Sequence, residues 1–344
     1  MGCNISGVCS RSSSEDIDET DKPPERKQYS WDLKTESDLS KYIIDSKGEG
    51  EVFRGPGSIN GQQFQIKNCV RSQIYLYDWS NTITIDDCKH CKIFLGPVKG
   101  SVFVRDCTDC TIVLACGQFR TRDCSNLDVF ILVNTQPIIE SSTGIRLGCF
   151  QFYYDQLSEH MFQADISPWQ NFWWKVHDFT PVKGEKNWSK LGTIFKVEDY
   201  LPLPTSDQGR NGSAKEEKSL VPLTVGPSRS LSGEEVSLVV IFQSDRQIEI
   251  GWNSLKKLKE YPNVYLVRTA HILVRRADAE RLFPAWVDRV DRGKLLCFHL
   301  AGAGADTLAR KMKEREVGGI WISEGNGEKD VQGLFGLSEM AMGF

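Results

Sequence analysis

Four cysteines fall into two short pairs, Cys88-x-x-Cys91 and Cys107-x-x-Cys110, with fifteen residues between them. Thiolates at that spacing are what a zinc ribbon uses, because two tight turns bring four soft ligands onto one tetrahedral ion. The surrounding residues favour another role. The first members continue a column of Cys69, Cys88, Cys107 and Cys124 with Ser142 next, and the second members align with Ser72 and Leu127. Ligand pairs do not fade into single small residues, whereas residues filling a narrow interior do, and buried cysteine packs as a small hydrophobe. The expectation is packing, with no metal. Redox chemistry at CxxC lacks its βαβ context. His90, His160, His177, His271 and His299 are scattered and read as structural. Gly302-Ala303-Gly304 lies between a strand and a helix, where a glycine turn can cradle phosphate, but a third glycine is missing. No GxxxxGK[ST] loop occurs, so the chain is not itself a P-loop GTPase or ATPase. The remaining chemistry is that of arginine, a permanent planar cation that forks two hydrogen bonds to one anion.

The cysteine column shows how such arginines are positioned. Its members are spaced 19, 19, 17 and 18 residues apart. Five residues after each anchor stand Ile74, Ile93, Ile112, Val129 and Leu147; seven after stand Leu76, Leu95, Leu114, Ile131 and Cys149; three before stand Ile66, Ile85, Val104, Thr121 and Ile139. So short a period cannot house a helix with its own core, but it fits one coil of a parallel β-helix. Strand alternation turns positions five and three before the anchor inward, and six, four and two before it outward. Stacking then sets Arg120 between Phe103 and Ile138, with Gln118 and Gln136 beside them. An outward arginine among apolar neighbours has the make-up of an interface hot spot. Arg122 falls between Arg105 and Glu140, and a structural ion pair with Glu140 is expected for it.

The chain has 344 residues, 40% of them hydrophobic, and a net charge of −4, which favours about two domains and gives no general affinity for nucleic acid. Eleven cysteines, many in one column, argue against a disulfide scaffold. Residues 1–28 read as a polar tether. Its start, Met1-Gly2-Cys3-Asn4-Ile5-Ser6, fits N-myristoylation at Gly2, with Cys3 open to palmitoylation. Glu15, Asp16, Asp18, Glu19 and Asp21 rule out a polybasic second signal, so Cys3 must supply it. Residues 29–201 hold the repeats, from about Gly50 to Phe150, and an aromatic flank that caps the open end. Pro, Gly and Ser mark a linker at 202–234. Residues 235–344 alternate strand and helix as a small α/β domain, with strands near Ser237–Phe242, Val264–Arg268, Leu295–Leu300 and Ile320–Ser323. Helices are expected at Trp252–Tyr261, Asp278–Val290 and Asp306–Arg315.

The run from Leu114 to Cys124, preceded by Gly96-Pro97-Val98-Lys99-Gly100-Ser101-Val102 and followed by Thr135-Gln136-Pro137-Ile138-Ile139-Glu140, strongly resembles the tubulin-cofactor-C family. Gln28-Tyr29-Ser30-Trp31-Asp32 and Asp178-Phe179-Thr180-Pro181 extend the resemblance. It implies a mainly β plus α/β chain: a right-handed parallel β-helix followed by a small ferredoxin-like, nucleoside-diphosphate-kinase-like domain. It further implies activation of an Arf-like small GTPase in its GTP form, with no turnover and no cofactor of its own. GTP and Mg belong to the partner. The family's arginine finger lies two residues after a glutamine, which matches Arg120 after Gln118, and Glu140 matches an acidic interface residue. Gly117 departs from the pattern, which has a first glutamine there, and no histidine lies near Gly319–Gly327, where the kinase family carries its nucleophile. The resemblance places the chain on the cytoplasmic face of the plasma membrane and at the cilium or basal body. The alternative is a membrane-tethered scaffold that binds the GTPase or tubulin without activating it.

Overall fold

A computed structural model describes residues 40–341 apart from 47, 192–194, 210, 229–233, 316–318 and 326. Gly2, Cys3, the tether and the Gln28–Asp32 motif lie outside the described residues. Residues 43–190 form a parallel β-solenoid within one 12-stranded sheet. One column of strands runs Ile43–Asp45, Phe64–Lys67, Ile83–Asp86, the ends of Lys92–Arg105 and Thr111–Arg122, Ile138–Glu140 and His177–Asp178. A second runs Gly50–Arg54, Ser72–Leu76, the starts of Lys92–Arg105 and Thr111–Arg122, Asp128–Val133, Ile145–Cys149 and Trp188–Lys190. Single bridges from Val70 through Lys89, Thr108 and Ser125 to Thr143 make the third side.

The coil is therefore as read from the spacing, but longer. A rung is added at each end by strands that carry no cysteine anchor. The column itself has one repeated geometry. The Sγ atoms of Cys69, Cys88, Cys107 and Cys124 donate to the carbonyls of Lys67, Asp86, Arg105 and Arg122 at 3.3, 3.3, 3.1 and 3.2 Å, and Ser142 Oγ donates to Glu140 at 2.8 Å. Cys91, Cys110 and Ser72 do the same one side further on, with Lys89, Thr108 and Val70. The corner on either side of each anchor is left-handed: Asn68, Asp87, Asp106, Asp123 and Ser141 before it, and Arg71, His90, Asp109, Asn126 and Gly144 two residues after it, have φ between 46° and 66°. Asp, Asn and Gly dominate because they bear that conformation at least cost.

The C-terminal part is a four-stranded sheet in the order Tyr265–Ile272, Leu295–Ala301, Val236–Ile241, Ile320–Ile322, antiparallel throughout. All six residues of Val236–Ile241 are buried, because helices cover both faces: Gln247–Lys256 and Ala305–Arg315 on one, Arg276–Leu282 and Glu328–Ala341 on the other. The helix expected over 278–290 is broken at Pro284 into Arg276–Leu282, a short 3-10 turn and Val287–Val290. The terminal helix Glu328–Ala341 has no counterpart in the sequence reading.

Contacts join this sheet to the coil. Trp169, from the segment after the last full rung, is buried in the C-terminal core, 4.7 Å from Trp252 and 5.9 Å from Phe298 between ring centres. Lys175 meets Glu339 at 2.6 Å, and Arg268 meets the same carboxylate at 3.1 Å. The stretch after Leu201 follows the coil: Thr205 and Ser206 donate to Glu51, Tyr153 bridges Ser213, and Val221 is buried in the coil's core cluster. Val225 and Gly226 then donate to Leu266 and Val267 of the sheet.

Candidate functional site

On the strand Thr111–Arg122 burial alternates as the pleat dictates: Gln118, Arg120 and Arg122 are exposed, while Phe119 and Thr121 are buried. The register sets Arg120 between Phe103 and Ile138, and Arg122 between Arg105 and Glu140. Gln118 Oε1 accepts from Ser101 Oγ at 3.1 Å, and Gln136 is half-buried just before the next rung's strand. The ion pairing differs from expectation. Glu140 is held by Arg120 through Nη2, whereas Arg122 turns to Asp123 at 3.3 Å. Backbone register names the nearest Cα; a side chain as long as arginine's can instead reach diagonally to the carboxylate one pleat along the same face. Arg105 forks onto Asp86 at 2.7 and 3.1 Å, and that hydrogen-bonded pair raises its pKa further. Phe103, Arg105, Arg120, Arg122 and Glu140 border a depression of about 250 Å³ in which cations outnumber carboxylates.

Phe179 completes the site, and the sequence reading did not assign it a role there. Its ring lies 5.9 Å from the Arg120 guanidinium carbon, within cation–π range, and is about half exposed. Its amide donates to Ile139 at 2.8 Å, and His177 packs edge-on against it at 4.5 Å. The turn beyond is fixed by Ser141 N donating to Thr180 Oγ1 and by Asn187 donating to Asp178. The Asp178–Pro181 motif was the available signal, but no anchor residue placed it on a rung.

Gly117 has a local cause. Between the pairs Val98–Cys116 and Ser101–Gln118 the register shifts, so that Lys99 and Gly100 together face Gly117. A Cβ at Gly117 would stand 2.5 Å from Lys99 O and 2.9 Å from Gly100 O. Gly117→Gln is therefore expected to destabilise the coil by about 1–3 kcal/mol, the usual cost of overpacking. A shift in the urea midpoint measures it, and an unchanged midpoint would mean that the bulge relaxes freely.

The tubulin binding cofactor C family model matches residues 61–179, ending at the ring beneath Arg120. Protein XRP2 of Homo sapiens is 41% identical over 92% of this chain and 93% of its own length. Protein XRP2 of Xenopus laevis is 40% identical over both full lengths. The chain belongs to the XRP2 family. Among solved structures, tubulin binding cofactor C from Leishmania major aligns at 23% identity over 41% of this chain and 88% of that one, with a TM-score of 0.30.

The other candidate chemistries of this XRP2-family chain have structural accounts. Its paired cysteines belong to the stacked hydrogen-bonded columns, and no metal-binding group of His, Cys, Asp and Glu occurs among the described residues. Burial pushes the thiols of Cys116 and Cys149 up, away from the thiolate form. At the glycine turn, already short of a third glycine for phosphate, the chain supplies its own anion: Glu235 accepts from the amides of Gly304 at 2.9 Å and Asp306 at 2.6 Å, so the helix start is filled. Burial lowers His271 to about 4; burial and then Arg268 lower His299 to about 3, leaving both rings neutral near pH 7. His160 is buried against Tyr154, 2.8 Å from its hydroxyl, with Asp78 at 3.6 Å.

Proposed function

We propose that this chain activates GTP hydrolysis by an Arf-like small GTPase, with Arg120 inserted beside the γ-phosphate. The observation that carries this reading is the setting of Arg120: an exposed cation on a rigid strand, with Phe103 and Ile138 on either side and Phe179 beneath. Hydrolysis spreads negative charge over the γ-phosphate and the leaving oxygen, and an arginine delivered in trans stabilises it. An arginine has five N–H donors, and the hydrogen bond described for Arg120 uses its Nη2 nitrogen on Glu140. That bond holds the side chain in place before the partner arrives, so less ordering is needed on binding. Gln118, Gln136, Phe103, Ile138 and Glu140 form the surrounding contact face. The GTPase supplies GTP and Mg²⁺, and this chain has no turnover and no cofactor of its own.

The decisive measurement is single-turnover GTP hydrolysis by an Arf-like GTPase with and without the full chain. An unchanged rate at saturating chain would overturn activation. It would favour a scaffold that binds the GTPase or tubulin through the same face, a reading supported by the name of the matching family and by the missing side chain at Gly117. The strand order and antiparallel pairing support a ferredoxin-like reading of residues 235–344.

In the same reading the chain works at the cytoplasmic face of the plasma membrane and at the cilium or basal body, in traffic of lipidated cargo, held by acyl groups on Gly2 and Cys3. One myristoyl chain binds a bilayer with only about 10⁴ M⁻¹, so both groups are required. Cys3→Ser should release most of the protein to the soluble fraction, and Gly2→Ala nearly all of it. Full membrane retention of Cys3→Ser on fractionation would defeat the two-signal account.

A further inference from the structure

A cavity of about 810 Å³ is remote in sequence from the arginine face. It opens between the stretch Glu216–Leu223 and the segment from helix Gln247–Lys256 to Leu266. Its walls come from two cores. Leu220 and Leu223 stand half-buried at the edge of the coil's cluster, and Trp252, Leu255, Leu258 and Tyr261 at the edge of the C-terminal cluster. Protein interiors close such gaps to voids little larger than a water molecule, so these side chains, each packed against its own core, leave the side that faces this volume uncovered. The size falls within the roughly 300–1,000 Å³ of small-molecule sites. The charged residues of the lining, Glu216, Glu217, Lys218, Glu249, Lys256 and Lys259, are all exposed and so stand at the mouth. Arg246 neutralises Glu249 through two bonds, of 3.0 and 3.1 Å. An apolar body with charge confined to the entrance matches a ligand with a long unbranched hydrocarbon body and a polar end.

We propose that this cavity holds the chain's own N-terminal acyl group when the protein is off the membrane. The proposal rests on the acylation of Gly2 given above. Three observations favour this occupant. The segment from Gly2 to Ser40 can span on the order of 100 Å, so the lipid can reach any face of the described body. The carboxylates from Glu15 to Asp21 follow the lipid in sequence, and with Glu249 paired to Arg246 the mouth sets Lys218, Lys256 and Lys259 against Glu216 and Glu217, a net positive charge. A tethered group is presented at up to about millimolar concentration, and it competes with a bilayer affinity of only about 10⁴ M⁻¹. A cavity of modest affinity is therefore enough to shield a singly acylated chain.

The test uses the full chain, co-expressed with an N-myristoyltransferase and checked by intact mass, beside Gly2→Ala. Hydrogen–deuterium exchange should slow at 216–223 and 252–262 in the acylated protein alone. Binding to phosphatidylcholine vesicles should rise about tenfold in acylated Leu258→Gln, the ratio expected if the docked form outnumbers the free form by about ten to one. Lys256→Glu with Lys259→Glu, both on exposed positions that cannot unfold the core, should raise it in the same direction. Absence of the added mass would overturn acylation, and this proposal with it. Added mass with equal exchange and unchanged vesicle binding would overturn the docking alone. Free myristate protecting both segments of Gly2→Ala, while the acylated chain shows no protection, would assign the cavity to another molecule's lipid and overturn self-docking.

Discussion

Arg120→Ala is expected to lower stimulated GTP hydrolysis by about 10³-fold or more, the usual contribution of an arginine finger. The fold should survive, because Arg120 is exposed and the buried neighbours Phe119 and Thr121 are unchanged. Arg120→Lys should fail nearly as badly, since a point charge lacks the planar fork. The ion pair with Glu140 adds an intermediate case. Glu140→Gln keeps the shape but loses a charge-assisted hydrogen bond, worth about 1.5–3 kcal/mol where it is fully expressed. Its exposure reduces that, and a fall of about tenfold in rate is expected. Arg122→Ala should change the rate least, because its partner is Asp123 rather than the carboxylate that steadies Arg120. Single-turnover rates at saturating protein separate these cases. Near-normal stimulation by Arg120→Ala, or its loss in Arg122→Ala alone, would assign the finger to the wrong residue.

The coil could be read in the sequence because its period is written in side chains that stack on their own kind. Cys, Ile and Leu recur where the backbone returns to the same corner, and the observed pairs Thr84–Phe103, Phe103–Arg120 and Arg120–Ile138 keep those spacings. The left-handed corners were equally available, since Asp or Asn precedes four of the five anchors, but conformation is a weaker signal than apolar periodicity. The terminal rungs were missed for a plain reason: Ile43–Asp45, His177–Asp178 and Trp188–Lys190 pair through backbone atoms and carry no anchor.

The site was legible to the level of faces and no further. Alternation and register place Phe103, Arg120 and Ile138 in line, and both are properties of the backbone. The choice of Glu140 by Arg120 depends on side-chain torsions that no periodicity encodes. Phe179 comes from 59 positions further along the chain, by way of a rung whose existence had not been read. The cavity between Leu220 and Trp252 was beyond reach for a related reason. It exists only because two cores meet, and the stretch from 202 to 228 reads by composition as a linker while its backbone and apolar residues bind both.

That meeting of cores yields the other large expected effect. Trp169→Ala should cost about 3–5 kcal/mol, the usual range for a buried tryptophan truncated to alanine. Trp169 is 2% exposed, and its ring fills the space against Trp252, Phe298 and the backbone of Gly251. Gly251 itself is required there: a Cβ would stand 2.7 Å from Leu296 and 3.3 Å from the Trp169 ring. Trp169 leaves the chain just before Trp173, which is buried in the coil's core cluster, so it is a side chain through which one body enters the other's core. Its loss should therefore not spread evenly. Calorimetry should show the C-terminal transition falling away from that of the coil, a departure from two-state unfolding. Trp169→Phe should recover part of the loss by keeping a ring against Phe298. Below the first transition, stimulated hydrolysis should stay near the wild-type rate, because the strands that present Arg120, Phe103 and Ile138 are held by their own neighbours in the solenoid. A single transition at the wild-type temperature in Trp169→Ala would show that Lys175, Glu339 and the strap from 202 to 228 hold the two bodies together without it.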